Sequence, residues 1–150
     1  TCGKIGMDKK LKTIVVDADA IVAQAHPDDS NHRKALSTTQ YLKSINARVV
    51  YPTTAVCEAV TVLQHKLENS ATAYGTAVIF TDPALQVVEI NQEIMTQAIN
   101  NHFRPHTSKK NTLFDCVVLE IAEQYSADAI FSFDHFYTSK GFKLASELKE

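Results

Sequence analysis

Apolar residues recur along this chain with two alternating patterns. Short β-branched runs are separated by longer stretches in which apolar positions fall three or four residues apart. Thr13–Val16 is a run of the first kind and predicts a buried strand that ends at Asp17. Ala18–Ala25 favours helix and stops before Pro27, and residues 28–31 are loop-like with helix-capping side chains. His32–Ser44 places Ala35, Leu36 and Leu42, followed by Ile45, at amphipathic spacing. Residues 48–51 predict a second strand, closed by Pro52. Thr53 or Thr54 can cap a helix reaching about Leu67, with Val56, Val60, Leu63 and Leu67 as its core stripe. Residues 70–80 predict a further helix, broken near Asp82-Pro83, and residues 85–90 a third strand. Gln92–His102 predicts a helix that ends before Arg104-Pro105, and residues 106–111 a polar, basic loop. Residues 112–125 predict a strongly apolar helix, residues 129–133 a fourth strand, and residues 141–144 a short edge strand.

Strands that alternate with helices imply an α/β fold with a mostly parallel central sheet flanked by helices. There is no repeat, low-complexity segment or interdomain linker, and 150 residues suit one domain. The pattern starts after Met7. Residues 1–6 read as an appended remnant, Met7 as the native start, and residues 7–150 as the domain. In parallel sheets, sites form beyond the carboxyl ends of the strands. Asp17 follows the first predicted strand and Asp134 the fourth.

Several acids can be read two ways. Asp17 is either a helix N-cap for Ala18 onward or a functional carboxylate at the sheet rim. Asp19, two residues on, is a ligand, a supporting group or a cap. On a helical wheel Glu120, Glu123 and Gln124 gather on one side, whereas Asp115 flanks Phe114, Val118 and Ala122 on the other. A carboxylate beside a buried face needs a partner or a cation, because lone buried charge is costly. Asp115 also lies in the first helical turn, where the dipole favours negative charge. Asp134 is either a turn residue or a site acid. Glu58 falls opposite its helix's stripe, beside Thr54, Thr61 and His65, and alone reads as a solvated surface residue.

Together these acids change the picture. Asp17, Glu58, Asp115 and Asp134 sit at helix starts or strand ends that a parallel sheet could gather. Clustered like charges repel unless cations neutralise them. Oxygen ligands without a Cys/His set point to Mg²⁺ or Mn²⁺ rather than zinc. The cysteines, Cys2, Cys57 and Cys116, form no Cys-x-x-Cys pair, and Cys57 and Cys116 read as core residues of a reduced, cytoplasmic protein. No apolar run is long enough to span a bilayer, and no signal peptide is evident. The net charge of −2 does not advertise nucleic-acid binding, so such a role needs bound metal and a local basic patch. Arg104, Lys109 and Lys110, just before Asp115, are candidates for that patch. His65, His102, His106 and His135 are weaker candidates for base or ligand, and Ser132 either supports a metal site or ends its strand.

These motifs resemble the PIN-domain family, which includes the VapC-type toxins of toxin–antitoxin pairs. Ile14-Val-Val-Asp17 is similar to its opening strand and first metal aspartate, and Thr53-Thr-Ala-Val-Cys-Glu58 to the segment carrying its glutamate. Leu113-Phe-Asp115 opens an apolar helix as the family's third acidic motif does, and Ser132-Phe-Asp134-His-Phe136 is similar to its last. Asp19 departs from the family, which more often has Ser, Thr or Asn there. The resemblance implies a metal-dependent ribonuclease in which Asp17, Glu58, Asp115 and Asp134 are catalytic metal ligands and Asp19 and Ser132 are accessory. It also implies an RNA substrate, a homodimer and an antitoxin partner. Two alternatives stand beside it. Hydrophobic-Asp17-Ala-Asp19 is similar to the opening motif of haloacid-dehalogenase-like phosphatases, with Asp17 as nucleophile and Asp19 as general acid. The other is a non-catalytic domain that binds RNA or protein.

Overall fold

The computed structural model describes residues 10–149. The proposed remnant at residues 1–6 lies outside them. Five strands, β1 (Thr13–Val16), β2 (Arg48–Pro52), β3 (Gln86–Val88), β4 (Ala129–Phe131) and β5 (Lys143–Leu144), form one sheet in the order β3-β2-β1-β4-β5. Every pairing is parallel, with Val15 opposite Val50 on one side and Ile130 on the other. The sheet is thus wholly parallel, and the expected edge strand is β5. The third and fourth strands are shorter than predicted. Beyond Phe131 the chain leaves the sheet, and residues 132–134 form a loop above β4.

The helices are α1 (Ala18–Ala25), α2 (His32–Ser44), α3 (Thr53–Thr61), α4 (Ser70–Ile79), α5 (Gln92–His102), α6 (Leu113–Gln124) and α7 (Phe136–Ser139). A π-helical turn, Val62–Lys66, continues α3, and a 3-10 helix, Ala145–Lys149, closes the described chain. Alternation along β1 divides the core between the two faces of the sheet. Ile14 and Val16 pack with Ala129 and Phe131 against α1, α2 and α3. Val15 packs with Val50 and Ile130 against Val118, Leu119, Ile121 and Ala122 of α6. A strand covered on both faces must be apolar at every position, which is why Thr13–Val16 is a continuous run.

Some side chains lie elsewhere than their periodicity suggests. The buried face of α3 and its π turn is Ala55, Ala59 and Leu63, with Val56 and Val60 only partly covered. Small residues allow the close approach of α1 and α3, and the bulkier valines are displaced to the flanks. Leu36 is exposed on α2, whereas Ala35 and Leu42 are buried. Cys116 is a core residue as expected, but Cys57 is exposed, because it faces away from the Ala55–Ala59 contact. Glu120, expected on a solvated face, is buried. Helix α6 is covered by the sheet on one side and by α5 on the other, so little of its surface remains free. Among the described residues no helix is long and apolar enough to cross a membrane.

This topology creates one special place. From β1 the chain moves outward through β2 to β3, then returns to lay β4 and β5 on the opposite side of β1. The carboxyl ends of β1 and β4 therefore border the switch point, where ligands bind in open parallel sheets.

Candidate active site

Asp17 follows the last residue of β1, and its backbone N–H extends the ladder by donating to the Phe131 carbonyl at 3.0 Å. Its carboxylate is buried, with 4% relative exposure. One oxygen accepts from the Ala18 N–H at 2.7 Å, and the other accepts from the Tyr137 hydroxyl at 2.7 Å. The residue is thus both the N-cap of α1 and a fixed carboxylate at the rim. Burial, chiefly, and then the neighbouring charge of Asp19 push its carboxyl well above the usual range, against the Tyr137 hydrogen bond.

Asp19 belongs to the first turn of α1. Its Oδ2 accepts from the Ser132 hydroxyl at 2.9 Å and from the Phe133 N–H at 2.8 Å. It therefore straps α1 to the loop above β4. Its other oxygen, Oδ1, is buried without a hydrogen-bond partner. Burial raises this carboxyl to about 6, opposed by the bonds from Phe133 and Ser132 and assisted by the charge of Asp134. Ser132 serves two neighbours, since its Oγ also accepts from the Asp134 N–H at 3.1 Å. The Asp134 Oδ1 accepts from the Phe136 N–H at 2.9 Å, a turn that sets the start of α7.

Asp115 arrives from α6. It completes a capping box with Thr112, and its Oδ2 accepts from the Thr112 N–H at 2.7 Å. Burial raises its carboxyl, the Thr112 bond resists, and the charge of Asp134 adds to the rise. Glu58 arrives from α3. It is half-buried rather than solvated, because the shift of the buried face to Ala55 and Ala59 turns it toward the rim. Its Oε2 is buried and unpartnered, as is the hydroxyl of Thr54 one turn earlier. Burial, then Asp115 and Asp19, lift this carboxyl to about 7.

All the predicted acids therefore meet at one rim, each within electrostatic reach of others. None forms an ion pair with a Lys or Arg among the described residues, where the ion pairs are Lys12–Asp128 and His102 with Glu120 and Glu123. Like charges without a counter-ion are held here by the rest of the fold. Among the described residues the one trio whose donor atoms all lie within 4.8 Å of one another is elsewhere, at His102, Glu120 and Glu123. There the ring Nε2 lies 3.0 Å from Glu120 and 3.2 Å from Glu123, and Asn101 and Gln124 also bond Glu120. This network staples α5 to α6 and satisfies a buried carboxylate. The rim acids stand farther apart and have open oxygens.

Tyr137, wholly buried, is the residue that sequence reasoning missed. An aromatic just after Phe136 reads as core, and nothing in the pattern links it to Asp17, 120 positions away. Of the expected basic residues, Arg104 and Lys109 line cavities beside the 103–111 loop, whereas Lys110 lines neither. His65, His106 and His135 make no hydrogen bond or ion pair with the rim acids, and His102 belongs to the α5–α6 staple.

No protein-family model and no curated protein matches the sequence. Among solved structures, VapC20 of Mycobacterium tuberculosis, described as a sarcin–ricin loop cleaving toxin, is similar with a TM-score of 0.74 and 19% identity. The match covers 86% of this chain and 95% of that one. This chain has the PIN fold. At that identity the likeness is one of architecture. The rim acids of this chain stand on their own geometry.

The geometry sets a test of stability in metal-free protein. A Glu58 carboxyl raised from 4.5 to about 7 contributes stability that is complete below pH 4.5 and lost as pH rises through 7. Chemical denaturation should therefore show stability falling from about pH 5 to about pH 7.5. Glu58→Gln should flatten that fall and gain on the order of 1 kcal/mol at the upper end, its exposure to solvent being allowed for. Tyr137→Phe, which strips Asp17 of a buried donor, should instead cost about 1–3 kcal/mol. Identical pH slopes for wild type and Glu58→Gln would contradict this electrostatic picture.

Proposed function

We propose that the chain is a metal-dependent endoribonuclease, in which Asp17, Glu58, Asp115 and Asp134 hold Mg²⁺ or Mn²⁺ and Asp19 and Ser132 support them. One observation carries this reading. Carboxylates converge at the switch point of a parallel sheet with no Lys or Arg ion-paired to them among the described residues, and Asp19 Oδ1 and Glu58 Oε2 are buried there without partners. The donor set suits a hard cation: it is oxygen throughout, and burial and neighbouring charge raise the carboxyls of Asp17, Glu58 and Asp115. When bound, a divalent cation supplies positive charge to a phosphodiester and acidifies a water for attack.

The protein's own residues supply position. Tyr137 and the Ala18 N–H fix both oxygens of Asp17, so its orientation is set before substrate arrives. Asp19, through Ser132 and Phe133, fixes the loop that presents Asp134. Thr112 orients Asp115. Among the described residues none donates a hydrogen bond to Glu58 Oε2, and this is the acid most able to adjust. These roles give Asp19 a structural task and leave it poorly placed as the general acid that a haloacid-dehalogenase-like phosphatase needs. That phosphatase would also need an exposed Asp17 nucleophile, and Asp17 is buried. A non-catalytic binding domain has no use for uncompensated carboxylates at its ligand rim.

VapC20 is described as a toxin that cleaves RNA of the sarcin–ricin loop. By that likeness we propose that this chain is also the toxin of a toxin–antitoxin pair, acts in the cytoplasm, forms a homodimer, and is inhibited by an antitoxin segment that covers the acids. A strict monomer in light scattering at high concentration would remove the dimer.

Cleavage of RNA in Mn²⁺ tests the main reading. Asp17→Asn and Asp115→Asn should each lower the rate by about 100-fold or more, with the fold retained. Excess EDTA should abolish wild-type cleavage. Cleavage that persists in EDTA contradicts the proposal, as does a silent Glu58→Gln beside a dead Asp19→Asn.

A further inference from the structure

Two adjoining cavities lie beside the acid rim. One, of about 370 Å³, is walled by Arg104, His106, Ser108, Phe136, Ser139 and Lys140 among others. Its neighbour, of about 580 Å³, shares Arg104 and Ser108 and adds Lys109 and Phe103. Among the described residues no Asp or Glu lines either cavity. In a chain with 17 acids against 15 Lys and Arg, this is a local reversal of sign. Arg104, Lys109 and Lys140 form no ion pair among the described residues, so their charge is available to a ligand.

The groove is tied to the acids at both walls. The α7 wall starts at Phe136, whose N–H bonds Asp134, and the loop wall ends at Thr112, whose N–H bonds Asp115. The groove therefore adjoins the Asp115–Asp134 edge of the rim. Lys140 is steadied over the Phe136 ring, 5.7 Å from its centroid, and its charge is felt at Cys116, the residue after Asp115.

We propose that a single RNA strand leaves the acid rim through this groove, with Arg104 and Lys140 holding the phosphates next to the one that is cleaved. The assignment rests on the nuclease reading and extends it to Lys140, which the loop sequence alone does not suggest. Lys110, which lines neither cavity, has no part in it. The ligand is a polynucleotide rather than an acidic peptide for two reasons. A peptide carboxylate at the Asp115–Asp134 edge would meet the rim acids, whereas a phosphodiester is what their cation would accept. Phe103, at 42% relative exposure, also offers a face on which a base can stack, as single-strand-binding grooves do.

The experiment is fluorescence anisotropy of the whole protein with a single-stranded RNA in EDTA across a salt series, paired with cleavage kinetics in Mn²⁺. Arg104→Gln and Lys140→Gln should each weaken binding about 3–10-fold and reduce the salt slope by about 0.7, the value for one lost phosphate contact on a single strand. In cleavage, KM should rise by the same factor while kcat changes less than about 2-fold, because uniform binding is lost. Lys43→Gln, at the far end of α2 from the rim, should change neither. Wild-type affinity, salt slope and KM in the double variant, with wild-type cleavage intact, overturn the groove and leave the nuclease reading standing. Wild type that neither binds nor cleaves RNA overturns both. A polyaspartate peptide that binds more tightly than RNA, and is lost in the double variant, reassigns the groove to an acidic protein partner and overturns the proposal.

Discussion

Everything at the rim depends on holding carboxylates together in a place where burial withdraws solvent from them and, among the described residues, no Lys or Arg pairs with them. Burial and mutual repulsion both favour the neutral acid, and here they act in the same direction on Asp17, Glu58 and Asp115. The core must supply the opposing stability. It does so through a sheet covered on both faces, whose central strand is inaccessible along its whole length. Asp17 cannot retreat from the rim without breaking its backbone bond to Phe131 and pulling β1 from β4.

The acids are also fastened to one another's supports. Asp17 is bonded to Tyr137, which belongs to the helix that Asp134 starts. Asp19 reaches the hydroxyl of Ser132, which in turn accepts from the Asp134 N–H. These links join α1, the loop above β4 and α7 into one unit, and Asp115 enters with its own cap. Such an arrangement stores unfavourable electrostatics at a site while the surrounding hydrogen bonds keep its geometry. Removing the charge stabilises a site of this kind and disables it, the usual exchange between stability and activity.

Much of this was legible in the chain itself. Continuous β-branched runs give buried strands, and the acid that directly follows a run is placed at the rim by the strand's direction, as for Asp17, whereas Asp134 lies three residues beyond β4 in a loop held by Asp19 and Ser132. Asp115 was legible as a first-turn acid beside an apolar face. Glu58 was not, because periodicity ranks side chains by size, whereas α3 enters the core through the small residues Ala55 and Ala59, one in the core of each sheet face, and so turns the glutamate inward. Glu120 was misplaced for a related reason: a helix packed against both a sheet and another helix has almost no solvated stripe. Tyr137 and the Lys140 wall depend on contacts between distant segments, which no local pattern carries.

The central claim is that these raised carboxyls await a divalent cation. A metal that binds a carboxyl titrating near 7 must displace its proton. Calorimetric titration of Mn²⁺ at about pH 6.5, in two buffers of different ionisation enthalpy, measures that release directly. The account predicts binding accompanied by net proton release, reduced in Glu58→Gln and fading as the pH is raised above about 8. Binding that releases no protons at pH 6.5, or no binding that depends on Asp17 and Asp115, would contradict it.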